Sequence, residues 1–335
     1  MSLMKCIGHV IYAIAGGTVL ISCIFNFLVS SWMPCIMDGV DCNNKGFTSL
    51  SGMYSRFVAA TCFVSCLIML YKFSFSMKGY NNNVEAYSNY SPVTRKDRRS
   101  YLIFTWTVTV SLLTIILPIN VLRLRIMYNN HTNTLVWIFF VVMYVENLFI
   151  SVSELYFASK CWNLYLKFSS INADLKQLKD EVSNVFPLST NVQLKKSYHP
   201  RWLHRQHRIT SFINFYSPPK GQRQLATVVE ILRIRHRLIR EAVTNLTELF
   251  GLPMCLSLCS LCVMALFDIY YEVFNLLNYR SRSSIFIYGW LTQYSYRFYM
   301  IVMVADTMMK QILTCTTLRA ERTKWVKFIL MAVQV

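Results

Sequence analysis

A chain of 335 residues that is 54% hydrophobic and only 15% charged, with a mean hydropathy of +0.36, lies outside the range of soluble domains, which carry about 25% charge. The net charge of +18 has two sources to choose between. Because the basic residues border long apolar runs, they fit the flanks of membrane spans and exclude nucleic acid as a partner. Most of the eleven cysteines lie inside apolar runs, where Cys acts as a small hydrophobe rather than as part of a disulfide framework. The expected class is therefore all-α: a polytopic helical membrane protein with six transmembrane helices and cytoplasmic helical extensions, forming a single membrane domain over 1–335 whose first partner is the lipid bilayer.

After Lys5 an uncharged run extends from Cys6 to Met37, longer than the 7–15 residues of a signal-peptide core, so the first span is placed at 7–29 and read as retained. The following stretch, CIMDGVDCNNKGFTS, holds Cys35 and Cys42, the two cysteines that share a polar loop. If that loop is extracellular they are a candidate disulfide. The second span is placed at 53–73, with Arg56 in its first turn able to snorkel toward the headgroups. KGYNNNVEAYSNYSPVTRKDRRS then reads as a polar, turn-rich cytoplasmic loop ending in Arg95, Lys96, Arg98 and Arg99. The third span, 101–122, carries Pro118 near its end, where proline costs least. Beyond it, Asn130-His131-Thr132 makes Asn130 a glycosylation acceptor provided that this short loop faces the lumen. The fourth span, 134–158, contains Glu146 and Glu154, and two acids in one span are costly.

The long basic region 160–245 is expected to be cytoplasmic. In KFSSINADLKQLKDEV, Phe168, Ile171, Leu175 and Leu178 return every three or four residues, the mark of an amphipathic helix whose apolar stripe needs a partner. Pro187, Pro200 and Pro218-Pro219 break the middle. RIRHRLIREAVTNL is again amphipathic: Ile234, Leu238, Ile239, Val243 and Leu246 form the apolar side, and Arg233, Arg237 and Arg240 the other. It leads into the fifth span, 247–270, whose 19 uncharged residues from Leu249 to Phe267 cover roughly the 30 Å of a bilayer core. The sixth span is placed at 284–309, with Arg297 and Asp306 inside it. Residues 310–335 read as a cytoplasmic tail or the start of a truncated seventh helix. With the N-terminus inside, cytoplasmic segments hold 27 of the 34 cations and outside loops five, so both termini are expected in the cytoplasm.

Catalytic chemistry finds little footing. His199, His204 and His207 resemble locally an iron-binding histidine box, but six histidines in the whole chain are too few, and a basic solvated loop is the reading taken. Cys255, Cys259 and Cys262 share a helical face without a fourth ligand nearby and are assigned to packing. No phosphate loop, catalytic triad or paired catalytic carboxylates stand out, and no catalytic residue, metal or cofactor is expected. The ionisable residues inside the spans are better pointers, because an intramembrane charge faces either a partner or a cavity. The predicted topology gathers Tyr144, Glu146, Asp268, Tyr271, Tyr288, Trp290, Gln293, Tyr294 and Arg297 in the outer halves of spans four to six. Aromatic rings with a few hydrogen-bonding groups suit a small molecule. The alternative is that the aromatics pack the bundle while Glu146 and Arg297 neutralise each other.

An N-inside bundle, a long cytoplasmic loop after the fourth span, KFSSINADL at its start, and HRLIREAVTNLTELFGLPMCLSL followed by DIYYEVF resemble an insect gustatory receptor over roughly residues 100 to 315. The resemblance implies seven helices, a homo- or hetero-tetramer, and a ligand-gated cation channel for small-molecule tastants in the plasma membrane, its pore lined by the last helix. The family's hallmark, a Thr-Tyr pair followed by Gln-Phe in the seventh span, is absent, and the chain stops where that helix should begin. The expectation is a taste-receptor subunit, either complete or truncated before its pore helix. An insect odorant receptor, a histidine-box oxidoreductase and a non-conducting scaffold are the alternatives.

Overall fold

The computed structural model describes residues 2–30, 47–91, 94–129, 133–185, 222–277 and 285–333, with side chains placed for 14–30, 55–73, 76–91, 94–129, 133–178, 227–270, 272–273 and 286–314. Among the described residues there is no strand. The helices are α1 (Ser2–Val29), α2 (Phe47–Tyr90), α3 (Arg95–Asn129), α4 (Thr134–Val185), α5 (Gln222–Leu277) and α6 (Ile285–Val333). Four of them are long and apolar enough to cross a membrane, over Ser55–Phe73, Arg95–Asn129, Thr134–Leu178 and Thr227–Tyr270. The apolar part described in α1, Ile14–Val29, is shorter. α6, diluted by Gln293, Ser295 and Arg297, is not among the four.

α3 shows why these helices are where they are. It starts at Thr94, whose Oγ1 accepts from the Asp97 backbone N–H at 3.1 Å and donates to the Asp97 carboxylate at 2.5 Å, while Asp97 also suits the positive end of the helix dipole. It buries a single narrow stripe, Val108, Leu112, Ile116 and Asn120, spaced one turn apart. The rest of its surface is apolar and outward-facing, with Trp106 67% and Val121 58% exposed. In water such a face would be polar; an apolar face turned outward fits hydrocarbon.

α4 is the axis of the bundle, packed against each of the other five helices. Beyond its apolar half it continues with α2 and α5 into a helical extension that holds the largest core cluster, including Tyr80, Tyr87, Leu164, Phe168, Ile171, Ile239, Leu246 and Phe250. The stripe predicted for 168–178 thus finds its partners: Phe168 and Ile171 are buried against α5 and α2, and Leu175 packs on the same cluster. Full burial of such side chains contributes about 1.5–3 kcal/mol each where the alternative is water. A polar lattice runs through this extension. The Arg235 guanidinium lies over the Tyr87 ring and donates to Asp174 Oδ2 at 2.6 Å and to the Tyr87 hydroxyl at 2.9 Å. Asn163 donates to the Tyr80 hydroxyl at 3.2 Å, and burial pushes that phenol above its ordinary value.

Three expectations need correction. The stretch read as a turn-rich loop after the second span is helical to Tyr90, because Met77, Tyr80 and Tyr87 recur at helical spacing and are buried against α4 and α5. α6 runs unbroken to Val333, so 310–333 continue the sixth helix rather than begin another. Cys255, Cys259 and Cys262 stand exposed on α5 instead of packing.

Candidate ligand site

Three stripes of side chains meet in the apolar half of the bundle. On α6, Trp290, Gln293, Tyr294 and Arg297 follow one another at three- and four-residue steps; on α5, Ser257, Leu261, Met264 and Asp268 do the same; on α4, Tyr144, Asn147, Ser151 and Glu154. Each spacing puts its set on one helical face.

At one end of the three stripes is a fixed ionic knot. Arg297, 1% exposed, donates through Nε to Glu154 Oε2 at 2.7 Å and through Nη2 to Glu154 Oε1 at 2.8 Å, a bidentate pair with a carboxylate that is itself fully buried. Its Nη1 donates to Asn147 Oδ1 at 2.6 Å, and the Ser257 hydroxyl donates to Glu154 Oε1. Every charge here has its counter-charge, and three helices are joined. Arg297 is thus not paired with Glu146. Glu146 lies on the neighbouring face of α4, where Asn26 of α1 donates to its Oε2 at 2.9 Å and its Oε1 has no hydrogen-bond partner among the described residues.

Farther along, the polar groups are not matched. Gln293 is 1% exposed, and neither its amide nitrogen nor its amide oxygen has a partner among the described residues. The Tyr144 hydroxyl and Asp268 Oδ2 are likewise buried without partners. Around them stand Tyr294, packed with Val58, Leu261, Met264 and Trp290 and hydrogen-bonded to Asp268, and Arg123. The Arg123 guanidinium sits between two rings, 4.4 Å from the centroid of Trp290 and 5.0 Å from that of Phe140. Buried amides without partners are rare, since each leaves a desolvation cost of about 1–3 kcal/mol unrelieved.

Of the nine residues that the sequence nominated, Tyr144, Asp268, Trp290, Gln293 and Tyr294 thus lie in or beside this matched or unmatched interior, and Arg297 at its ionic end. Tyr288 is 60% exposed and faces away, and the side chain of Tyr271 lies outside the described residues. So do Cys35, Cys42, Asn130 and His199, His204 and His207. Sequence reasoning missed Arg123, Asn147, Glu154, Ser257 and Asn26. The signal for Glu154 was present as the second acid of its span. Among the described residues no group of three His, Cys, Asp or Glu side chains is arranged to hold a metal.

No protein-family model matches the chain, and no curated protein matches it.

Proposed function

We propose that the protein is a chemoreceptor subunit of the gustatory-receptor type: a plasma-membrane protein of six spans here, N-terminus in the cytoplasm, that recognises a small-molecule tastant and acts with other subunits in a tetrameric, ligand-gated cation channel. The observation that carries this reading is Gln293, a fully buried amide with a donor and an acceptor unused, on the helical face that also carries Trp290 and Tyr294. A ligand with a complementary acceptor and donor would use both. The neighbouring Tyr144 hydroxyl and Asp268 Oδ2 offer further directional contacts, and the rings offer apolar faces, the composition of a small-molecule site. The Glu154–Arg297 knot supports the same reading by fixing the floor of that site across α4, α5 and α6.

The test is Gln293→Leu, which preserves bulk and removes both hydrogen-bonding atoms. Because it deletes an unpartnered buried amide, the variant is expected to fold at least as well as the parent, with a gain of up to about 1–3 kcal/mol. Co-expressed with a channel-forming partner receptor, it is expected to lose the response to tastants that the parent supports, at unchanged surface expression. A dose–response curve that does not move would refute the assignment.

A further inference from the structure

On the outward face of the α5 extension, Arg233, His236, Arg237 and Arg240 line an open groove of about 200 Å³. We propose that this groove binds a free polyphosphate anion, of the class of a phosphorylated polyol. The inference stands apart from the ligand site, because it concerns the opposite end of α5 and needs no assumption about taste.

The positions are spaced at three, four and seven residues, so the cationic side chains share one face, and like charges a turn apart repel. Carboxylates relieve two of the three arginines. Glu230 Oε2 lies 3.5 Å from Arg233 Nη1, and Glu241 Oε1 lies 2.8 Å from Arg237 Nε. Arg240 has no carboxylate within ion-pair distance among the described residues. The arginines remain available to a ligand, Arg233 and Arg237 being 72% and 80% exposed. The reverse face of the same turns is fixed: Leu232, Arg235 and Ile239 are buried, and the His236 ring meets Phe168 edge-on at 6.3 Å. A short helical face held rigidly from behind presents its guanidinium forks together. Such forks match phosphate oxygens in pairs, and a compact polyvalent anion would offset the repulsion among them all at once.

Distance from the apolar belt selects a free anion over a lipid headgroup. Arg240 precedes Leu249, where the uncharged run begins, by nine residues, or roughly 13 Å of helix, and Arg233 lies a further two turns out. The headgroup layer is only about 5–8 Å thick. Helical side chains also lean toward the N-terminus, which here is away from the belt.

The experiment uses the full chain in detergent micelles, with inositol hexakisphosphate as probe, by isothermal titration calorimetry at about 0.15 M salt. Saturable binding is expected, weakening as salt rises. Arg237→Glu with Arg240→Glu should weaken it by about tenfold or more, and Arg240→Gln alone by less. Arg98→Glu with Arg99→Glu, the same charge change at exposed residues outside the groove, should leave affinity within about twofold. Size-exclusion profiles establish that each variant is folded. Absence of binding up to about 1 mM probe would overturn the proposal, as would equal losses from the two double variants, which would mean diffuse attraction. Binding confined to nanodiscs containing phosphatidylinositol bisphosphate, with none to the free probe, would overturn it too.

Discussion

Glu146 and Glu154 sit eight positions apart on α4, about 12 Å along its axis, and their surroundings differ completely. Glu154 meets Arg297 in a bidentate pair supported by Ser257, whereas among the described residues Glu146 meets uncharged groups of α1, the Asn26 amide and the Cys23 thiol. A buried pair adds little net stability over apolar residues of similar size, but removing one member leaves a charge without solvent or partner. Arg297→Met is therefore expected to destabilise the chain by about 3–5 kcal/mol, while Arg297→Met with Glu154→Leu recovers most of that loss. Chemical denaturation in mixed micelles measures both. If the single and double variants unfold alike, the pair does not hold the helices as described. Arg297 was legible in the sequence as a charge inside a span. Its partner was not, because which acid lies level with it depends on the register of two parallel helices, α4 and α6, and a shift of two turns exchanges Glu146 for Glu154.

At the scale of whole helices, close approach is set by glycine. A Cβ on Gly79 of α2 would come 2.8 Å from the Asn245 side-chain nitrogen of α5, and one on Gly289 of α6 would come 2.7 Å from Ile119 of α3. A Cβ on Gly17 of α1 meets nothing within 4 Å. Gly79→Leu is accordingly expected to force α2 from α5 and cost about 1–3 kcal/mol. Gly17→Ala should be neutral or stabilising by up to about 1 kcal/mol, through helix propensity alone. Thermal unfolding of the two purified variants checks the contrast, and equal shifts would show that Gly79 is not a contact point. The same α2–α5 contact explains where sequence reading failed. NNNVEAYSNY has the composition of a loop, but Tyr80 and Tyr87, one heptad apart, find buried positions that outweigh weak local propensity. Where hydrophobic periodicity was strong, as in Phe168 to Leu178 and Leu238 to Leu246, the helices and their buried faces were legible directly.

For the molecule as a whole, cations lie over aromatic rings at both ends of the bundle, but the described exposed cations are concentrated at one of them. At the extended end Arg95, Lys96, Arg98, Arg99, Arg233, Arg237 and Arg240 stand exposed. At the other end Arg123 lies between Phe140 and Trp290 and Arg56 over Phe27 at 5.9 Å, while Arg125 stands exposed. Arg123, one of the five cations counted outside, is thus withdrawn from solvent, as Arg235 and Lys167 are among the 27. Because exposed Lys and Arg are retained on the cytoplasmic side, the proposed orientation places the extended end inside the cell. α1 ascends from that end, alongside the descending α2, so the N-terminus belongs there as well. An epitope tag before Met1 and another inserted after Arg201 are both expected to stay unlabelled on intact cells and to become labelled once the plasma membrane is permeabilised. A tag on the extended end that antibody reaches in unpermeabilised cells would reverse the orientation, and with it the assignment of the Gln293 interior to the extracellular half.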